Sequence, residues 1–150
     1  MDRDELISKL NWFYGLEIEQ VDLYKTQSRH VDDIYLKRAL ERIAFIEQQH
    51  VENIAAFLKK MGVNPSPAGD ILGPIIGKIM GNAVGLAGEA AILKVDIAVE
   101  EKAMKDYKNF ILRTGDEREL FELLWSHLLD EDFHTAWFAN KLKEYEALKV

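Results

Sequence analysis

Two Glu-x-x-His segments, each preceded by a lone glutamate, are the residues of this sequence best suited to chemistry. The lone glutamate lies 30 residues before the segment in the first half and 31 residues before it in the second. The six residues are Glu17, Glu47 and His50 in the first half, and Glu100, Glu131 and His134 in the second. Residues three apart on a helix project to the same side, so each Glu-x-x-His can reach one metal ion. The sequence therefore predicts an internal duplication that supplies the same ligand set twice.

The charges of these residues explain why the set should bind metal. Four ionised carboxylates in a dry core would repel one another, and each would cost several kcal/mol to desolvate. Two divalent ions would balance the four negative charges, and mixed carboxylate and imidazole ligation suits iron or manganese. We therefore expect two iron ions, with manganese as the alternative metal. The other interpretations are that these carboxylates are surface charges, or that they are protonated.

Four long helical segments must position these residues. They are predicted over about 3–28, 33–61, 89–113 and 116–148. Asp32 and Asp33 suit the N-cap of the second helix, and Asp116 with Glu119 has the spacing of a capping box for the fourth. Each helix carries an apolar stripe in steps of three and four, interrupted near mid-length by at least one carboxylate. Nothing in the sequence predicts a strand.

The connections between the helices predict the architecture. Helices one and two are joined by a few residues, as are helices three and four, whereas residues 62–88 form a long link. One short, one long and one short connection is typical of a ferritin-like four-helix bundle, made of two antiparallel helical hairpins and a crossover. We expect an all-α fold and a single domain over 1–150.

The crossover is rich in glycine and apolar residues. Glycine recurs every four residues from Gly69 to Gly85, and Pro74 suits the first turn of a helix. A glycine row on one face permits close approach by another helix. We expect a helix that packs across the bundle, or one that rests in a membrane interface through residues 69–88.

Composition excludes several classes of protein. The chain has 150 residues, a formal net charge of -7 and no cysteine, which excludes disulfide scaffolds, iron–sulfur clusters and thiolate zinc sites. The acidic balance argues against a nucleic-acid partner. The acidic first residues argue against a secretory signal. We expect a cytoplasmic protein, with peripheral attachment to the inner face of the membrane as the alternative.

Other side chains on the stripes have two interpretations each. Asp96 and His127 lie one turn from Glu100 and Glu131, and either could tune the site or simply end the core. Asp130 is a candidate partner for a metal-bound imidazole. The aromatic residues expected mainly in the core are Trp12, Phe13, Trp125, Trp137 and Phe138.

Two short segments carry a family resemblance. They are Gly15-Leu16-Glu17, with Tyr24 seven residues after its glutamate, and Ala98-Val99-Glu100, with Tyr107 at the same distance. On these residues the chain resembles the ferritin-like di-iron carboxylate superfamily, and within it most of all the demethoxyubiquinone hydroxylase family of ubiquinone biosynthesis. That family has Ala-Gly-Glu and Ala-Val-Glu at these places, each with a later tyrosine. Asp106 stands where the family has a histidine before the second tyrosine.

The resemblance implies roles for eight residues. It implies Glu17, Glu47, His50, Glu100, Glu131 and His134 as metal ligands. Glu47 and Glu131 are then bridging ligands at the catalytic centre, and Tyr24 and Tyr107 lie near the metals.

The function that this predicts is a non-haem di-iron oxidoreductase that activates dioxygen and hydroxylates a quinone-like or other lipophilic substrate. The alternatives are a ferritin-like ferroxidase or iron-storage protein, a peroxide-scavenging di-manganese or di-iron protein, and a helical interaction module with vestigial carboxylates. A homodimer is a further expectation.

Overall fold

The computed structural model describes residues 1–82 and 88–148, and this part of the chain contains helices without strands. The helices are α1 (Arg3–Ser28), α2 (Ile34–Lys60), α3 (Leu72–Asn82), α4 (Glu89–Ile111) and α5 (Arg118–Ala147). The predicted all-α class, the four long helices and the glycine-rich crossover helix are therefore confirmed. The chain forms two compact units, Met1–Leu72 and Gly73–Val150. Each contains one helical hairpin, and the single domain over 1–150 stays a prediction.

In the first unit, α1 and α2 form an antiparallel hairpin. Arg3 at the start of α1 donates a hydrogen bond to the carbonyl oxygen of Met61 after the end of α2, at 2.8 Å. Asp33 is the N-cap of α2, as predicted, and its carboxylate accepts from the amides of Tyr35 at 2.8 Å and Leu36 at 3.2 Å. Such a cap satisfies backbone donors that the first turn leaves without a helical partner.

The crossover leaves α2 and packs on α1. The amide of Ser66 donates to the side-chain oxygen of Asn11 at 2.8 Å, and the amide of Ala68 donates to the Asn11 carbonyl at 3.4 Å. Gly15 lies under this segment, and a Cβ added there would be 2.9 Å from the Ala68 nitrogen. Only glycine leaves room for so close an approach of two backbones.

Glu19 of α1 holds the start of α3. Its carboxylate accepts from the amide of Ile71 at 2.9 Å and from that of Leu72 at 2.6 Å. The negative charge therefore lies at the positive end of the α3 dipole, where it stabilises the helix. Pro74 falls in the first turn, as expected.

The predicted glycine row makes no close contact at Gly69, Gly77 or Gly81. A Cβ added at Gly77 or at Gly81 would meet no atom within 4 Å. Residues 83–87 of the segment 69–88, Gly85 among them, lie outside the described residues. Across 1–82 and 88–148, no helix is long and apolar enough to cross a membrane.

In the second unit, α4 and α5 form an antiparallel hairpin. The hydroxyl of Tyr145 near the end of α5 donates to the carboxylate of Glu89 at the start of α4, at 2.6 Å. The capping box predicted at Asp116 and Glu119 is wrong. The N-cap of α5 is Glu117, without a side-chain cap bond, so that the helix begins one residue later than the box requires.

The apolar stripes predicted from the sequence form the buried faces of the four long helices. The prediction of a core position is wrong for Trp125 and Trp137, which lie on the exposed side of α5. It is correct for Phe13 and Phe138, which are buried. Apolar residues surround much of this helix, and the arc that holds its histidines and Glu131 is the one that is buried.

Candidate metal centre

The first unit contains a cluster of two carboxylates and one imidazole, which we call cluster 1. It consists of Glu17 from α1 with Glu47 and His50 from α2, and their ligand atoms lie within 4.8 Å of one another. The Nδ1 atom of His50 is 2.9 Å from a carboxylate oxygen of Glu47 and 3.3 Å from one of Glu17. All three side chains are buried. Nδ1 is therefore the imidazole nitrogen that faces the carboxylates.

The second unit contains the equivalent cluster, which we call cluster 2. It consists of Glu100 from α4 with Glu131 and His134 from α5, and again the ligand atoms lie within 4.8 Å of one another. The Nδ1 atom of His134 is 3.6 Å from a carboxylate oxygen of Glu100. These three side chains are also buried. The six residues predicted as ligands are thus brought together as two sets of three, one in each hairpin.

Helix geometry explains why the same set arises twice. In each hairpin the second helix presents a glutamate and a histidine three residues apart, so that both project from the same side. The first helix supplies the remaining glutamate from its own buried stripe. The repeated spacing in the sequence therefore corresponds to the same packing arrangement in both hairpins.

The donor set of each cluster fits a divalent iron or manganese ion. Two ionised carboxylates in a buried position carry two negative charges, and leaving them uncompensated would cost several kcal/mol for each. A divalent ion balances that charge, and oxygen and imidazole ligands without thiolates suit these metals. Metal ligation is therefore compatible with the burial of these residues.

Both tyrosines predicted near the metals are fully buried. Tyr24 lies seven residues after Glu17 on α1, about two helical turns away on the same side. Tyr107 has the equivalent position after Glu100 on α4, and its hydroxyl lies 3.1 Å from the Nδ1 atom of His127. This Tyr107–His127 pair gives His127 a defined polar partner.

The other polar residues near the stripes differ in their surroundings. Asp96 is buried and Asp130 is half-buried, and a role for Asp130 as the partner of an imidazole stays a prediction. Asp106 forms an ion pair with Lys102, four residues earlier on α4. Gln20 was not predicted as a site residue, but it is buried three residues after Glu17 and therefore shares its face of α1. That spacing is the signal that could have revealed it.

Comparison with solved structures confirms the ferritin-like fold. The chain is similar to the bacterioferritin of Desulfovibrio desulfuricans, whose di-iron site is described in different catalytic states, with a TM-score of 0.79 and 21% identity over 97% of this chain and 82% of that one. It is also similar to a ferritin-like, diiron-carboxylate protein from Bacillus anthracis str. Ames, with a TM-score of 0.78 and 22% identity over 95% and 99% of the two chains. A dodecameric thioferritin, the bacterioferritin-related protein from Bacteroides fragilis, gives a TM-score of 0.82 at 16% identity over 99% and 90%. No curated protein matches the sequence.

The sequence itself matches one family. The family described as ubiquinone biosynthesis protein COQ7 matches residues 17–134. This range begins at Glu17 and ends at His134, which are the first and the last of the six predicted ligands. The predicted resemblance to the hydroxylases of ubiquinone biosynthesis is therefore confirmed, and the chain belongs to the COQ7 family of ubiquinone biosynthesis proteins.

Proposed function

We propose that the protein is a non-haem di-iron oxidoreductase that activates dioxygen to hydroxylate a quinone-like or other lipophilic substrate. In this proposal the three residues of each cluster would hold iron, two ions per chain in all, and Glu47 and Glu131 would be ligands at the catalytic centre. The observation that carries it is the buried set of two carboxylates and one imidazole that each hairpin contains. Membership of the COQ7 family supports the choice of a hydroxylase among proteins of this fold.

When bound, iron supplies the electrons and the open coordination positions that dioxygen needs. The protein supplies charge and a fixed geometry. The four glutamates balance the charge of two divalent ions, and burial excludes water that would compete for the open positions.

The histidines hold and release a proton as the ions bind. In cluster 1 the Nδ1 atom of His50 lies between two carboxylates, where a proton on that nitrogen bonds to either of them. A metal ion can take this position only when Nδ1 has lost its proton, because the same lone pair binds both. Nε2 then carries the remaining N–H, and His134 in cluster 2 acts in the same way.

Tyr24 and Tyr107 have a supporting role in this proposal. Their buried hydroxyls order water or remove stray oxidising equivalents beside the metals. The Nδ1 atom of His127 lies within hydrogen-bond distance of the Tyr107 hydroxyl, so that it can accept the phenol proton.

An anaerobic Fe(II) titration followed by calorimetry tests the ligand assignment. We expect two ions per chain for the wild type and fewer for Glu47→Gln and for Glu131→Gln, which keep the size of the side chain but remove its charge. Matched controls are Glu52→Gln and Glu122→Gln, which change exposed glutamates on the same two helices. Unchanged stoichiometry in the two cluster variants would show that the assignment is wrong, provided that circular dichroism shows folded protein.

Product analysis tests the reaction class. Oxygen added to the reduced iron protein should produce a charge-transfer band. A short-chain quinone lacking one ring hydroxyl should gain one oxygen atom, measured by mass spectrometry with labelled dioxygen. Turnover by the iron-free protein at the same rate would contradict the proposal.

A ferroxidase or iron-storage function is the second candidate, favoured by the similarity to bacterioferritin over 97% of this chain. Storage predicts that aerobic Fe(II) is taken up well beyond two ions per chain, and that size-exclusion chromatography shows a large cage. Metal analysis of protein purified from its native source separates iron from manganese, the metal of a peroxide-scavenging function. A vestigial site predicts that chelation leaves thermal stability unchanged.

Contact of segment 69–88 with a membrane is part of the proposal for a lipophilic substrate. The apolar character of α3 and the exposure of Met80 support it. Flotation with vesicles of phosphatidylcholine and phosphatidylglycerol should recover the wild type but not Met80→Asp. Leu112→Asp, at an exposed apolar position after α4, is the control and should still float. Loss of flotation in both variants, or in neither, would contradict this contact.

A further inference from the structure

Five large apolar residues recur every fourth position on α5 and cross its exposed side. They are Phe121, Trp125, Leu129, Phe133 and Trp137, with exposed fractions of 38%, 44%, 37%, 67% and 36%. We call this row the aromatic ridge. The rings of Phe121 and Trp125 are nearly parallel, at an interplanar angle of 6° and a centroid distance of 6.3 Å. The ligands Glu131 and His134 lie on the buried arc of the same helix.

The area of the aromatic ridge is that of an apolar patch that is often functional. An aromatic side chain contributes about 150–250 Å², so that the exposed fractions amount to roughly 400 Å² of apolar surface. This equals the largest apolar patch of a typical monomer. It is also about half of the ~800 Å² that each partner buries in a stable interface of standard size.

We propose that the aromatic ridge is the interface of a homodimer in which α5 pairs with α5 of a second copy, antiparallel about a two-fold axis at Leu129. The residue pattern of the ridge is nearly symmetric about Leu129, because aromatic residues lie four and eight positions before it and after it. A two-fold axis therefore pairs Trp125 with Phe133 of the second copy and Phe121 with its Trp137. Such a self-complementary patch is what an isologous interface requires.

Helix packing geometry favours the same arrangement. Side chains four residues apart form one continuous row along a helix, inclined to its axis. Two such rows run parallel when the helices cross at about −50°, which is the commonest crossing class. The ridge of one copy can then lie beside the ridge of the other along its whole length.

Acidic residues lie beside the ridge. Glu122 and Asp132 are exposed on either side of it. Their negative charges disfavour contact between this face and an anionic membrane.

Sedimentation velocity of the full chain tests the dimer. This inference does not depend on the proposed reaction, because the dimer should form with or without iron. We expect the wild type to sediment as a dimer at tens of micromolar. Phe133→Ser and Trp125→Ser should each weaken the dimer at least tenfold, since buried aromatic residues dominate interface energies. Phe45→Ser is the matched control, because Phe45 is an aromatic residue of similar exposure, 53%, on a different helix, α2.

Each outcome of this experiment decides the question. A monomeric wild type would overturn the proposal, and so would ridge variants that remain dimeric or a Phe45→Ser variant that dissociates equally. A monomer that loses vesicle binding on Phe133→Ser would assign the ridge to lipid instead. The variants change exposed residues, and circular dichroism verifies that they remain folded.

Cross-linking tests the register, because the chain has no natural cysteine. A short bismaleimide should cross-link Leu129→Cys efficiently, since the two copies of this position lie at the two-fold axis. The control is Asn140→Cys, whose copies would be roughly 30 Å apart at 1.5 Å per residue and should not react. Cross-linking at Asn140→Cys but not at Leu129→Cys would overturn the antiparallel arrangement.

Discussion

Replacement of Gly15 by alanine should destabilise the protein, although the same change usually stabilises a helix. Alanine is favoured over glycine in a helix interior by about 1 kcal/mol. At Gly15, however, the new methyl group would be 2.9 Å from the Ala68 nitrogen and 3.2 Å from its oxygen. Both atoms belong to the backbone, so that relief requires a shift of the crossover segment.

The magnitude follows from these two opposing effects. Overpacking of a tight contact costs about 1–3 kcal/mol, and a shifted segment also weakens the hydrogen bonds that Ser66 and Ala68 donate to Asn11. Each such bond contributes about 1 kcal/mol. After subtraction of the gain in helix propensity, we expect Gly15→Ala to lower the free energy of unfolding by about 1–2 kcal/mol. This corresponds to a fall in Tm of about 2–8 °C for a chain of this length.

Gly77→Ala is the matched control, because a Cβ added at Gly77 meets no atom within 4 Å. It should stabilise α3 by about 1 kcal/mol, which slows exchange of the α3 amides by about fivefold. Urea unfolding measures the global effect of Gly15→Ala, and hydrogen exchange should show faster exchange at Ser66 and Ala68. If Gly15→Ala raised the free energy of unfolding by about 1 kcal/mol, the gain expected at an uncrowded helix position, the close approach of Ala68 to Gly15 would be refuted.

Three further predictions concern other contacts. Glu19→Ala should remove the carboxylate from the two amides at the start of α3, at a cost of about 1 kcal/mol, and hydrogen exchange in the first turn of α3 should accelerate; unchanged exchange would contradict the role of Glu19. Tyr145→Phe should lower the free energy of unfolding by about 1 kcal/mol through loss of the bond to Glu89, whereas equal stability in thermal unfolding would show that this bond contributes nothing. Iron binding should release protons and weaken as the pH falls from about 7 to about 5, because protons compete for Nδ1 of His50 and His134 and for the carboxylates. Calorimetry in buffers of different ionisation enthalpy measures the proton release, and an affinity independent of pH would argue against these ligands.

The local features of this protein follow directly from its sequence. Helices α1, α2, α4 and α5 begin and end within a few residues of the predicted positions, because periodicity and the residues that end helices act over a few neighbouring residues. The spacing of three residues from Glu47 to His50 determines that both project from one side of α2. The predicted cap at Asp33 is also correct, because a cap depends only on residues within the first turn of the helix. The capping box at Asp116 failed because its spacing alone does not decide which residue begins a helix.

Contacts between distant segments were decided only by the tertiary structure. The pairing of Tyr107 with His127, the carboxylate of Glu19 at the start of α3 and the approach of Ala68 to Gly15 all depend on the path of the chain between helices. Sequence periodicity identifies the faces of a helix but does not give the rotation at which it packs. Trp125 and Trp137 illustrate the difference, since α5 has apolar residues on several sides. The predicted stripe with the histidines is the buried side, and only the tertiary structure showed that the aromatic ridge stays exposed.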